Sequence, residues 1–316
     1  MLDRLPHDLI HHLADLIVPP PTTHNLAARQ ETCRSLSLLH RTWTAVAQKK
    51  LFEAVTVRVP AGTGVLDQRF AFAAARGAKV RRVEVRGSDS AGVLQAVDGV
   101  LGRCEDAQQV VLKGNLANPS WELVPQLTSL AVDCYPPHAP PMSPSREWSG
   151  AALPSTLTCL SLFNLTLTVA PPPLPHCNTL VLNHVSLHQS AQAPPPLAPA
   201  LMSSFPSLRV FGARHCPASF LEGLVQDLPP TVEHLLTDLV PWPLVQNERL
   251  ANARRTSDGK ATLQTVTVLT CAGISEGGVR TWFQQLRVWC PLPGTRLETV
   301  APTAEWDLEE WSWSVL

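Results

Sequence analysis

Eight cysteines and eleven histidines are the side chains best suited to metal binding or nucleophilic chemistry in this sequence. The cysteines stand at positions 33, 104, 134, 159, 177, 216, 271 and 290. None are paired as C-x-x-C, and no histidine pair follows at zinc-finger spacing, so no metal site is expected. His11 and His12 are adjacent, and neighbours on a helix point in different directions, which makes them poor joint ligands. His176-Cys177 and His215-Cys216 are two further pairs whose separation nothing in the sequence fixes. A buried cysteine acting as a small hydrophobe is the simpler reading of both. No serine lies in a G-x-S-x-G elbow and no P-loop pattern occurs. Gly92, Gly99 and Gly102 are too scattered for a dinucleotide fingerprint. Asp67, Asp98, Asp133 and Glu233 form no recognisable acid–base pair. No cofactor and no catalytic residue is therefore expected. An enzyme whose site is assembled from distant residues stays open.

The composition limits the partners. Twenty-five Lys and Arg against 26 Asp and Glu leave a net charge of −1, with no basic run to attract nucleic acid or an anionic membrane. A single tyrosine gives little support to a stacking platform for single strands. No apolar run reaches membrane-spanning length and no secretory apolar region follows the start, MLDRLPHD. The expectation is a reduced, intracellular protein of cytoplasm and/or nucleus. With 316 residues the chain can bury a large core. Thirty prolines mark local loops in it rather than general disorder.

The elements that organise the chain lie first in it. Leu5 to Ile17 reads LPHDLIHHLADLI, with Leu5, Leu9, Leu13 and Leu16–Ile17 at helical steps. Pro6 suits a first helical turn, and Asp8 lies near the positive end of the helix dipole. Ile10 widens the apolar surface beyond one stripe, so part of it is expected to face a partner. VPPPTT, from Val18 to Thr23, ends this helix. Residues 26–51 read as helical, and Val55, Val57 and Val59 alternate as a strand.

These residues resemble the F-box, in the form found in fungal F-box proteins with leucine-rich-repeat-like tails. The matching pieces are Leu5-Pro6, the Leu9/Ile10/Leu13 run, and CRSLSLLHRTWTAVAQKKLF from Cys33 to Phe52. Asp8 stands where the family often has Glu, and the intervening loop is long. The alternative is a plain helical hairpin capping another core.

A second pattern fills the remainder. The frame hydrophobic-x-x-hydrophobic-x-hydrophobic falls at Phe52/Val55/Val57, Val80/Val83/Val85, Ala107/Val110/Leu112, Leu127/Leu130/Val132 and Leu157/Leu160/Leu162. It returns at Cys177/Leu180/Leu182, Leu208/Phe211/Ala213, Val232/Leu235/Thr237, Leu263/Val266/Val268 and Leu297/Val300/Pro302. Successive starts differ by 28, 27, 20, 30, 20, 31, 24, 31 and 34 residues. Such spacing resembles an irregular leucine-rich repeat, whose units run at roughly 20–29 residues. Helices are expected over 64–77, 90–103, 219–228 and 277–289. Proline-rich loops are expected over 135–144, 171–175 and 191–199, and over 305–316 a capping element or, as the alternative, an acidic, aromatic docking tail. A mixed α/β domain with an ordinary sheet is the alternative.

The expected fold is thus α/β: an F-box helical hairpin or trihelical segment over 1–57, then an irregular leucine-rich-repeat-like α/β solenoid over 58–316. The resemblance implies a non-catalytic substrate-recognition subunit of an SCF-type (cullin–RING) E3 ubiquitin ligase. Leu5, Pro6, Leu9, Ile10 and Leu13 would dock on a Skp-type adaptor, and through it on a cullin. Leu39 and Trp43 would brace the helices, and the repeats would hold a target protein. A scaffold working with the adaptor outside any ligase remains the alternative.

Overall fold

A computed structural model describes residues 6–19, 25–59, 70–71, 78–87, 93–114, 119–134, 146–187, 197–237, 263–269 and 296–300. The chain forms two compact units, Met1–Thr128 and Ser129–Leu316. Residue 57, where the helical segment is expected to end, lies within a strand, Ala54–Val59, inside the first unit. The mixed α/β class is as expected.

The first unit opens with three helices: α1 (His7–Ile17), α2 (Asn25–Leu39) and α3 (Arg41–Phe52). Ile10, Ala14 and Val18 recur at four-residue steps and meet Cys33, Leu36, Trp43, Val46 and Ala47 in one buried cluster. Residues 26–51 are two helices rather than one. His40 is extended (φ −168°, ψ 153°), and its ring nitrogen accepts from the Thr42 N–H, capping α3. The Thr44 hydroxyl donates to the Ser37 carbonyl at 2.8 Å, which closes the corner.

Three parallel strands follow: β1 (Ala54–Val59), β2 (Arg82–Gly87) and β3 (Gln109–Gly114), with α4 (Val93–Leu101) between the last two. The register sets Val55 beside Val83 and Val83 beside Val110. It also sets Val57 beside Val85 and Val85 beside Leu112. Gly114 ends β3 at φ +103°, where a Cβ would lie 1.9 Å from the Gly87 carbonyl oxygen. Only glycine fits both the dihedral and that approach.

The second unit holds β4 (Ser129–Asp133), β5 (Arg146–Ser149), β6 (Cys159–Val169), β7 (Thr179–Leu187), β8 (Val210–Arg214), β9 (His234–Thr237), β10 (Thr265–Leu269) and β11 (Arg296–Val300). Its two described helices are α5 (Leu197–Ser203) and α6 (Ala218–Gln226). All its strand pairs are parallel, in the order β4-β6-β7-β8-β9-β10-β11, with β5 against the far half of β6. Leu130, Leu160, Leu180, Phe211, Leu235 and Val266 share one row across the sheet. Ala107, Cys177, Ala213 and Thr237, which complete the frame poorly by type, are buried in the same places as its leucines. The last frame is shifted. Leu297, not Val300, pairs with Val266.

The repeated geometry extends to the backbone. A turn bond from the first frame residue to a carbonyl three positions earlier recurs: Ala107 to Cys104, Leu127 to Val124, Leu157 to Pro154, Cys177 to Leu174, Leu208 to Phe205 and Val232 to Pro229. The carbonyls of Glu53, Arg81, Thr158, Asn178, Arg209 and Glu233 each accept two consecutive N–H groups from the following strand's start. The expected helices over 64–77 and 277–289 and the cap over 305–316 lie outside the described residues, Phe70 and Ala71 excepted.

Candidate docking surface

The two faces of α1 are occupied differently. Ile10 is only 1% exposed and belongs to the helical core, so its expected outward role is corrected. Its neighbour Leu9 is 40% exposed, Leu16 70% and Ile17 51%. Leu13, at the step between Leu9 and Leu16, is partly buried and packs on the edge of the core. Pro6 is exposed, and its carbonyl accepts from the Leu9 and Ile10 N–H groups at 3.0 and 3.2 Å, starting the helix. Leu5 lies outside the described residues.

Two further leucines point outward at the end of α2. Leu38 is 82% and Leu39 62% exposed. The bracing role expected of Leu39 is therefore corrected, because the break at His40 turns it away from the core. Trp43 is buried in the cluster as expected. Leu16 and Ile17 belong to the exposed apolar face although the resemblance assigned them no docking role. They stand three and four residues past Leu13, each one helical step along the same face.

Polar contacts hold α1 in place. The Lys50 ammonium pairs with Asp15 on α1, and with Glu53 at 3.1 Å. The hydrogen bond to Lys50 holds the Asp15 carboxyl below its ordinary range, against a smaller opposing effect of burial. Buried Arg29 on α2 pairs with Glu53 at 2.9 Å. A cavity of about 470 Å³ lies between α2, α3 and β1, lined by Gln30, Cys33, Arg34, Gln48, Leu51 and Val55 among others. Burial pushes the Cys33 thiol up, away from the reactive thiolate.

The other chemistry-bearing residues are tied into the fold. Asp98 accepts from the Ser120 N–H at 2.8 Å, and Asp133 from the Asn164 amide at 2.8 Å. Glu233 receives two guanidinium bonds from Arg209, both 2.9 Å, which lower its carboxyl pKa and raise that of the arginine. Asp67 lies outside the described residues. Cys177 and Cys216 are buried, with thiols turned toward the carbonyls of Thr179 and Arg214. Among the described residues no group of three or more His, Cys, Asp or Glu side chains could hold a metal ion. No described helix is long and apolar enough to cross a membrane.

The second unit carries a polar row across β6, β7 and the residue after β8. Asn164 inside β6, His184 inside β7 and His215 just past β8 follow one another in successive strands, all left-handed at φ 55°, 53° and 51°. The rings of His184 and His215 stack at 4.3 Å, and the Asn183 amide oxygen lies 3.2 Å from His215 Nδ1. Nearer the start of the strands, Ser161 and Val181 are buried, whereas His184 and His215 are exposed. No family model matches this chain, and no curated protein matches it in sequence.

Proposed function

We propose that this protein is the substrate-recognition subunit of an SCF-type E3 ubiquitin ligase, with an F-box-like N-terminal segment and a leucine-rich-repeat-like remainder. The observation that carries the reading is the division of α1. Its Ile10 face is anchored in the chain, while Leu9, Leu16 and Ile17 stay exposed. Fully burying an exposed Leu or Ile is worth about 1.5–3 kcal/mol, and covering what remains exposed of these three is worth a part of that for each. A helix laid into an apolar groove of a Skp-type adaptor is a contact of that kind. The docking set becomes Pro6, Leu9, Leu13, Leu16 and Ile17, with Leu5 retained from the resemblance and Ile10 removed.

The parallel strands and their recurring turn bonds support the repeat reading. The polar row of Asn164, His184 and His215 in the second unit offers a surface for a target protein. The chain itself catalyses nothing in this scheme. It raises the local concentration of a target beside the ligase.

The test is capture of a purified Skp-type adaptor by wild-type chain and by Leu9→Glu/Leu16→Glu. Binding should be lost in the variant with its circular dichroism unchanged. Undiminished binding by the variant overturns the interface. Co-purification of a cullin separates the ligase from a scaffold that uses the adaptor alone.

A further inference from the structure

We propose that Arg29 is the positioning residue of the docking helix, coupling the direction of α1 to the start of the repeat sheet. The proposal rests on the docking role of α1, and its first readout needs no adaptor.

A buried guanidinium is costly unless its charge and its donors are met. Arg29 is 3% exposed, and its partners come from three places. Nη1 donates to the Pro19 carbonyl at 2.6 Å. Nη2 donates to the Lys50 carbonyl at 2.6 Å and to the Glu53 carboxylate at 2.9 Å. The first carbonyl lies just past the end of α1 and the second in the last turn of α3. Helix C-termini leave carbonyls without intrahelical partners and carry partial negative charge. One planar fork therefore ties the chain just past α1 to the last turn of α3, while Glu53 balances its charge. A lysine, with a compact point charge, cannot span the same acceptors.

The bonds continue beyond the helices. Lys50 joins Glu53 to Asp15 on α1. The Glu53 carbonyl accepts the Arg81 and Arg82 N–H groups, both at 2.9 Å, where β2 begins. One series of polar contacts thus runs from the segment just past α1 through Arg29 and Glu53 to the second strand, and another from Asp15 on α1 through Lys50 to the same Glu53. The apolar side of α1 contributes Ile10, Ala14 and Val18, and such contact is non-directional. Direction comes from the hydrogen bonds. Without Arg29, α1 keeps its apolar anchors and the Asp15–Lys50 pair but loses the contact that fixes the chain where it leaves the helix. The docking leucines then sample a range of orientations, and a partner must select the productive one.

The experiment is segment-resolved hydrogen exchange on the full chain, wild type and Arg29→Met, followed by adaptor affinity. Exchange over residues 7–19 should speed up at least about tenfold while α2, α3 and β1–β3 keep their protection. The adaptor Kd should rise by about tenfold. Arg29→Lys, which returns a charge beside Glu53, should fold yet leave α1 exchanging faster than wild type. It supplies the comparison if Arg29→Met does not fold. Uniform loss of protection across the first unit, or unchanged exchange in α1, overturns the proposal. Failure of the wild-type chain to bind the adaptor overturns the docking reading instead, and α1 exchange still decides the role of Arg29.

Discussion

Adjacent residues with opposite fates show how much is decided side chain by side chain. Ile10 and Leu9 are neighbours in α1, yet one is sealed and the other is not. Ile10→Ala should cost roughly 2–5 kcal/mol through lost burial and a residual cavity. Leu9→Ala should stay within about 0.5 kcal/mol, as for a surface change. Urea unfolding of the two variants checks the contrast. The buried thiols make a second residue-level expectation. Burial pushes the Cys104 thiol up to about 12, and raises the Cys177 thiol as well. Neither should react with a thiol reagent at neutral pH until the chain is unfolded, which labelling followed by mass spectrometry reads directly. Glu233 gives a pH dependence. Arg209 lowers its folded pKa below the ordinary value of 4.5, so the native state binds fewer protons than the unfolded state around that value. The stabilisation is present above the unfolded pKa and is lost as pH falls through the folded one. Thermal unfolding of wild type and Glu233→Gln should therefore differ at pH 7 and converge in acid. Solvent screening of this half-exposed pair keeps the difference small.

At the scale of elements, the helical corner and the ends of strands were the hardest to read. No glycine or proline marks the break between α2 and α3. His40 makes it by capping, a role better known for Ser, Thr, Asp and Asn. The strand β5, with sequence REWS, carries no apolar alternation, and pairing with the extended half of β6 defines it. The slip of the last frame has a similar cause. Within RLETVAP both Leu297/Thr299 and Val300/Pro302 satisfy the spacing, and a proline cannot donate to a ladder. Gly114 offers an element-level test. Gly114→Ala should cost at least about 1–3 kcal/mol, since the left-handed dihedral alone is worth that much strain. Collision with the Gly87 carbonyl adds to it. Thermal melting, with Gly99→Ala as an unobstructed control in α4, measures the difference.

Across the whole molecule, the two ends of the chain are expected to do separable work. Deleting residues 1–50 should abolish capture of the adaptor while the repeat region still retains a target, read by mass spectrometry of what each chain captures. What the amino-acid sequence determined by itself was the recurring frame and the helical period of α1. Both are one-dimensional patterns, and burial of a strand face or a helix stripe enforces them locally. That is why Leu130, Leu160, Leu180 and Phe211 align as their spacing implied. The tertiary structure alone decided which side of α1 is spent on the core. Its apolar residues wrap more than one stripe, and only the positions of Cys33, Leu36, Trp43 and Val46 select Ile10 over Leu9. The polar ties of Arg29 were likewise illegible, because they join residues 10, 21 and 24 positions apart whose meeting depends on three helices packing first.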